Sequence, residues 1–385
     1  MKRPELLAPA GNMEALKAAV ANGADAVYLG ASRFGARAFA GNFHEDQLQE
    51  AVRYCHLRDV KVYVTVNTLL YEEELAEAIA LVDRLVQAQV DALIVQDLGL
   101  VSLIRRRWPD LELHASTQMH IHNLDGVRWA KDMGFSRVVL ARETPLELVR
   151  ECAREKIDLE IFVYGALCVS YSGECLMSSL LQGRSGNRGQ CAQPCRMRYQ
   201  LIDETQDKVV PAEGEYLLST RDLNTLDRMK ELMNSGAVSF KIEGRMKRPE
   251  YVGAVVRAFR RRIDALLQQE QIRPDPQEQQ QLKKLFNRGF TEGYLFHQSG
   301  FSVMNAFRPN HLGVQIATVL SQKNGRLQIR LSAPLHQHDG LRILRDHGED
   351  LGFLANYIYR HGLLVSKAVA GDIVQLEVRD KVRPG

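Results

Sequence analysis

The chain has 385 residues and 45% hydrophobic content, enough for two domains and a large core. Its 50 Lys and Arg against 47 Asp and Glu leave a formal net charge of +3, which neither demands nor excludes nucleic acid. No apolar run is long enough to span a bilayer, and "MKRPELLAPAGN" has a basic start but no apolar stretch before its proline; a cytoplasmic protein without signal peptide or membrane contact is expected. Short apolar runs then alternate with helix-like runs. The runs "ELLAPA", "DAVYLGA", "VKVYVTVN", "DALIVQD", "LELHASTQ", "RVVLARE" and "LEIFVYG" are nearly continuous, as strands of a parallel sheet covered on both faces are. Helices are predicted over 14–22, 45–58, 72–88 and 145–156. An eighth strand, "AVSFKIEG", and a long amphipathic helix over 251–269 complete eight units. The pattern predicts an α/β fold, a (β/α)8 TIM-like barrel. A doubly wound open sheet is the alternative, lowered by the lack of a GxGxxG opening a helix.

Active-site groups of such barrels sit at the C-terminal ends of strands. The polar residues there are Asn67, Gln96 with Asp97, Ser116 through Gln118, Arg142 with Glu143, Tyr164, and Lys241 with Glu243. Each alone reads equally well as a helix cap or surface residue; together they predict a polar ring. The loop "GASRFGARAFAGN" carries Arg33 and Arg37 and reads as a lid for an anion or a plain rim.

Gln, Glu, Asp and Pro dominate 268–281, the composition of a solvated linker. The expected organisation is a barrel over 1–267 with a cysteine-rich insertion at 165–200, a linker and short helix over 268–300, and a smaller all-β barrel over 301–385. "LKKLFNRGFTEGYLF" is expected to pack a short helix back on the barrel. Asn324-Gly325 accepts the positive φ of a hairpin turn. The closing "VRPG" has no strand after it, so a truncated C-terminus is expected.

Four of the six cysteines follow the seventh predicted strand, spaced Cys168-x6-Cys175-x15-Cys191-x3-Cys195. Soft thiolates hold zinc or an iron–sulfur cluster. Structural zinc sites favour short C-x2-4-C knuckles at both ends, and only the second pair has that form, which puts a cluster ahead of zinc. Two disulfides or four core cysteines are the bland reading. Cys55 and Cys152 lie in apolar helical stretches and read as buried small hydrophobes. A nucleophilic Cys168 would need a histidine base from His44, His56, His114, His120 or His122, and no local pairing marks one. "HIH", with His120 and His122, lines the pocket, binds metal or lies on the surface. Arg184, Arg188, Arg196 and Arg198, with Arg245, Lys247 and Arg248, would form a positive rim suited to phosphates if both groups reach the mouth. Arg260, Arg261 and Arg262 read as a solvated helix face.

"DLEIFVYGALCVSYSGECLMSS" resembles the signature of family thirty-two of the collagenase-like peptidases of unassigned mechanism, through Glu160, Phe162, Gly165, Ala166, Cys168, Gly173, Cys175 and Ser178. "LLAPAGN", "GADAVYLG", "ALIVQDLG", "LHASTQ", "GRSGNRGQCAQPCR" and "FKIEGRMK" carry the likeness across 4–260. The resemblance implies a 4Fe-4S cluster on Cys168, Cys175, Cys191 and Cys195, with zinc as the alternative. It is similar to the branch of RNA hydroxylation proteins that form 5-hydroxycytidine in large-subunit ribosomal RNA. A related branch modifies the wobble uridine of transfer RNA, and both imply prephenate, a small anionic metabolite, as co-substrate. The C-terminal strands resemble a translation-factor β-barrel, which suits an RNA partner. Tyr164 departs from relatives that carry His there.

The expected mechanism places the cluster at the barrel mouth, supplied by an electron donor, with a flipped pyrimidine in the polar ring. Asn67, Gln96 and Gln118 would read the base edge or hold the metabolite. Arg37 and Arg142 would pair its carboxylate. Arg188, Arg196, Arg245 and Lys247 would hold phosphates, and Glu160 would bond backbone near the cluster. The competing readings are a peptidase and a non-catalytic RNA-binding protein with a structural metal.

Overall fold

Nearly continuous apolar runs become eight strands buried on both faces in the computed structural model, which describes residues 2–37, 41–271, 273–345 and 350–384. They are β1 (Glu5–Pro9), β2 (Ala26–Gly30), β3 (Lys61–Val66), β4 (Ala92–Val95), β5 (Glu112–Ala115), β6 (Arg137–Val139), β7 (Asp158–Ala166) and β8 (Ser239–Ile242). Each pairs in parallel with the next, and β8 pairs with both β7 and β1, closing the barrel. The helices between them are α1 (Met13–Ala21), α2 (Glu45–His56), α3 (Leu75–Gln87), α4 (Leu98–Arg107), α5 (Leu124–Asp132), α6 (Leu146–Cys152), α7 (Met229–Met233) and α8 (Pro249–Leu267). Asn12, Asp97 and Asn123 cap α1, α4 and α5 by accepting from the N–H groups of Ala15, Leu100 and Gly126. Asp97 also accepts from Leu70 N–H at 3.2 Å, so both its carboxylate oxygens are used on backbone. No described helix is long and apolar enough to cross a membrane.

The barrel helices bury one face on the strands, in a single apolar layer that includes Cys55 and Cys152. Two sequence expectations are corrected here. On α8, Arg260 and Arg262 are buried rather than solvated: Arg260 pairs with Asp25 at 3.0 Å and Arg262 with Glu278 at 3.2 Å. Only Arg261 of the three is exposed, at 67% of its side chain. Residues 268–300, expected as a linker and a short helix packed back on the barrel, hold that helix, but it begins inside the 268–281 stretch read as solvated linker. The helix Pro276–Leu285 packs along α8, and strand Phe290–Thr291 pairs with Asp222–Asn224, which runs antiparallel to the end of β7. The compact unit extends to Leu312.

The second unit, Gly313–Gly385, is all β. Its antiparallel five-stranded sheet runs Ala317–Lys323, Arg326–Leu331, Ile373–Glu377, Ile358–Arg360, Leu363–Val365, with two short ladders beside it. Asn324 and Gly325 take φ of 49° and 74° and form the expected hairpin turn. Leu327, Ile329, Leu331, Val374 and Leu376 make its core.

Candidate active site

Parallel register aligns charged side chains inside the barrel. Glu5 lies opposite Ser239, and Ser239 opposite Glu160. The fully buried Glu160 accepts from Lys241 Nζ at 2.7 Å and from Arg137 and Ser239 Oγ at 3.3 Å. Arg137 also pairs with Glu5 at 2.6 Å, and Tyr63 Oη donates to the same Glu5 carboxylate. Burial opposes the Glu160 charge, but Lys241 and Arg137 outweigh it and hold the carboxyl below its usual range. Glu160 is thus structural, as expected, but through side chains rather than backbone. Two carboxylates meet two cations, so this lower cluster is balanced.

The mouth, two residues further along β8, is not balanced. Glu243 accepts from Arg142 Nη2 at 3.1 Å and faces Arg37 at 3.6 Å. Arg245 is buried beside them, donates to Thr65 Oγ1 at 2.9 Å, and is pushed down to about 10 by burial and by Arg37. Burial opposes ionisation of Glu243, yet Arg37, Arg142, Arg245 and Lys241 keep its carboxyl low. Three guanidinium groups around one carboxylate leave two positive charges in excess. Arg142 lies over the Phe162 ring at 3.9 Å, and its buried Nε has no partner among the described residues.

The amides sit beside these arginines with uneven freedom. Asn67 accepts from Ala36 N–H and donates to Ser116 Oγ, both at 3.0 Å, so it braces the loop carrying Arg37. Gln96 donates to the Gln118 carbonyl at 3.1 Å, leaving its buried Oε1 without a partner among the described residues. Gln118 is half-buried. Tyr164, expected at the mouth, is not there. It is buried among Tyr251, Phe259 and Phe290, with its hydroxyl unpartnered among the described residues. The cause is a bulge: Lys241 pairs with Phe162 but Ile242 with Tyr164, so Val163 is extra and alternation reverses.

The cysteines lie on an excursion between β7 and strand Asp222–Asn224. Arg196 clamps its two ends, donating to Ser219 Oγ and Thr220 Oγ1 at 2.8 Å and to the Leu167 carbonyl at 3.4 Å. Ser178, fully buried, donates to the Arg184 carbonyl at 2.6 Å and accepts from Ala192 N–H at 2.9 Å. It thereby joins the Cys175 and Cys191 segments. Ser172 accepts from Arg142 N–H at 3.2 Å and its own N–H donates to Glu143, docking the excursion on the mouth. Gly173, at φ 84°, approaches Gln118 so closely that a Cβ would lie 2.2 Å from the Gln118 carbonyl oxygen. Ser172, Ser178 and Glu243 carry more of the architecture than the sequence reading assigned them; the i, i+2 spacing of Lys241 and Glu243 was the available signal.

All four thiols of the excursion are free. Cys168 and Cys175 share a hydrogen bond, which raises the Cys168 thiol and lowers that of Cys175. Cys195 lies within electrostatic reach of Cys191 and Cys175, and Arg37 within reach of Cys191 and Cys168. The donor set suits a soft metal or cluster by chemistry and neighbourhood. Among the described residues no group of three or more His, Cys, Asp or Glu side chains is already arranged around a metal position. His120 pairs with Glu174 at 3.1 Å and stacks on Tyr171, while His122 bonds the His120 carbonyl.

Four of the residues expected in a phosphate rim, Arg188, Arg196, Arg245 and Lys247, are engaged within the barrel unit, while Arg248 is exposed. Arg188 is held by Glu74 at 2.6 and 3.0 Å and by the Leu69 carbonyl at 2.7 Å. Arg196 is spent on the clamp, and burial beside Arg288 lowers it to about 10. Arg245 faces inward. Lys247 sits over the Phe286 ring, 2.8 Å from its centroid, lowered to about 8 by burial and Arg288.

Known proteins share this chain's sequence over most of its length. It is 37% identical over 369 residues to a 23S rRNA 5-hydroxycytidine synthase of Escherichia coli, covering 94% of this chain and 55% of that one. The chain thus spans about half the length of that relative. It is 40% identical over 270 residues to tRNA hydroxylation protein P1 of Bacillus subtilis, covering 69% of this chain and 64% of that one. A collagenase of Porphyromonas gingivalis matches at 33% over 413 residues, 99% of this chain and 96% of that one. The model of peptidase family U32 matches residues 11–305. The chain belongs to peptidase family U32.

Proposed function

We propose that the chain is an RNA-modifying enzyme that hydroxylates a pyrimidine, forming 5-hydroxycytidine in large-subunit ribosomal RNA. The carrying observation is the mouth itself: Arg37, Arg142 and Arg245 around Glu243, within electrostatic reach of the cysteine excursion. Relatives named for ribosomal and transfer RNA hydroxylation support the substrate class. Two excess positive charges favour a dianionic co-substrate such as prephenate, with Arg37 and Arg142 on its carboxylates. Gln96 Oε1, buried and unpartnered among the described residues, would accept from the ligand or an exocyclic amine. Asn67, by contrast, holds the Arg37 loop in place. Cys168, Cys175, Cys191 and Cys195 would hold a 4Fe-4S cluster, which supplies one-electron transfer when bound, fed by a separate electron donor. Ser172 and Gly173 keep the excursion docked on the mouth.

The test compares modified nucleosides of ribosomal and transfer RNA from cells with and without the gene, alongside iron and sulfide analysis of anaerobically purified protein. Loss of 5-hydroxycytidine from ribosomal RNA is expected. Loss of hydroxylated wobble uridine instead would move the substrate to transfer RNA. An unchanged pyrimidine profile with bound iron would leave a non-catalytic RNA-binding protein.

The collagenase of nearly equal length favours a second reading, a peptidase. Among the described residues no serine or cysteine hydrogen-bonds a histidine. Ser172 faces Glu143, and Cys168 faces Cys175. Gelatin cleavage that survives Cys191→Ser would establish it.

A further inference from the structure

We propose that the C-terminal unit carries a cleft for single-stranded RNA centred on Arg326, an inference that rests on RNA being the substrate class. Ten of the 50 Lys and Arg but only seven of the 47 Asp and Glu fall in Gly313–Gly385, so the chain's whole excess of +3 belongs to this unit. Two cavities of about 380 and 390 Å³ share Asn324 and Arg326 as a common wall. The first is also lined by Asn356, Tyr357 and Arg379, the second by Lys323. Lys323, Arg326 and Arg379 are exposed, and among the described residues their side chains enter no ion pair. That sets them apart from Arg188 and Arg196 of the barrel, which Glu74 and the Ser219–Thr220 clamp hold.

The wall chemistry matches an unpaired strand. The Arg326 guanidinium is steadied over the Tyr359 ring, 4.7 Å from its centroid. Tyr359 Oη donates to Glu377 at 2.9 Å; Glu377, the acidic side chain lining the first cavity, lies opposite Arg326 in the ladder and keeps its charge, so Lys323, Arg326 and Arg379 outnumber it three to one. The three cations suit phosphates. Asn324 offers a donor and an acceptor to a base edge, and Asn356, whose Oδ1 already meets His338 Nδ1 at 3.3 Å, offers its amide N–H. Tyr357, 50% exposed, offers a ring face for stacking. Recessed cavities of this size take splayed nucleotides, which an A-form duplex does not present.

The test uses the full chain and a fluorescently labelled single-stranded oligoribonucleotide, followed by anisotropy at several salt concentrations. R326E/R379E is expected to bind about tenfold more weakly, with the slope of log affinity on log salt reduced by about 1.4 for two lost contacts. R326K/R379K, which keeps the charges, is expected to bind close to wild type, separating charge from misfolding. Equal binding by wild type and R326E/R379E overturns the cleft. So does equal weakening in both double variants. If wild type binds RNA through Arg326 and Arg379 yet cells show no nucleoside change, the proposed reaction fails and the cleft stands.

Discussion

Two ionic clusters share one barrel interior and differ in balance. The lower one sets Glu5 and Glu160 against Arg137 and Lys241, each charge answered within 3.3 Å. The upper one sets Glu243 against Arg37, Arg142 and Arg245. Desolvation penalises both, so a fold gains nothing from surplus charge unless a ligand completes it. The balanced cluster ties four strands together; the surplus is what makes the mouth the candidate site. Strand direction explains the assignment, since the surplus lies at the C-terminal ends of the strands, where loops can reach a ligand.

Removing one partner from the balanced cluster should do the most damage. Glu160→Gln leaves Lys241 and Arg137 buried beside a neutral amide, and a loss of roughly 3–5 kcal/mol is expected in urea unfolding. A loss under about 1 kcal/mol would mean that solvent or Glu5 alone screens those cations. Acid should find the same weakness. Glu160 and Glu243 have carboxyls held below the ordinary value, so their contribution is present above that value and disappears as pH falls through the folded-state pKa. Stability against pH should therefore stay flat above about 5 and fall below about 4. Glu160→Gln should flatten that acid limb.

The surplus cluster should respond in the opposite way. Arg142→Met removes one of three like charges, so unfolding should change by only about 1 kcal/mol. Turnover should drop by about 10²–10³, as when one charge-stabilising donor is deleted. If the melt collapses and the remaining activity per folded molecule is normal, Arg142 belongs with the structural group and the contrast is lost.

Much of this was legible in the chain. Eight apolar runs closed into a barrel because continuous Val, Ile and Leu strands need cover on both faces. The polar strand ends pointed to Arg142, Gln96 and Glu243, and the cysteine spacing picked out the excursion. Pairwise commitment was not legible. Nothing in the order of residues says that Glu74 takes Arg188, 114 positions away, or that Arg196 is consumed by Thr220. The 268–281 composition looked solvated because Pro276–Leu285 buries only Leu282 fully. Basic clusters read from sequence count charges, whereas phosphate binding needs charges left over.

Tyr164 is the sharpest small test, because one extra residue separates the two readings of it. Strict alternation along β7 would carry Glu160, Phe162 and Tyr164 inward together. The bulge at Val163 turns Tyr164 outward against Phe259 and Tyr251. There its hydroxyl is desolvated and unpartnered among the described residues, and burial pushes its pKa up. Such a hydroxyl stabilises nothing, so Tyr164→Phe should leave stability unchanged or raise it by about 1 kcal/mol. Modification should proceed at the wild-type rate. A tenfold loss of activity with an unchanged melt would put the ring back at the mouth, and the bulge with it would be wrong.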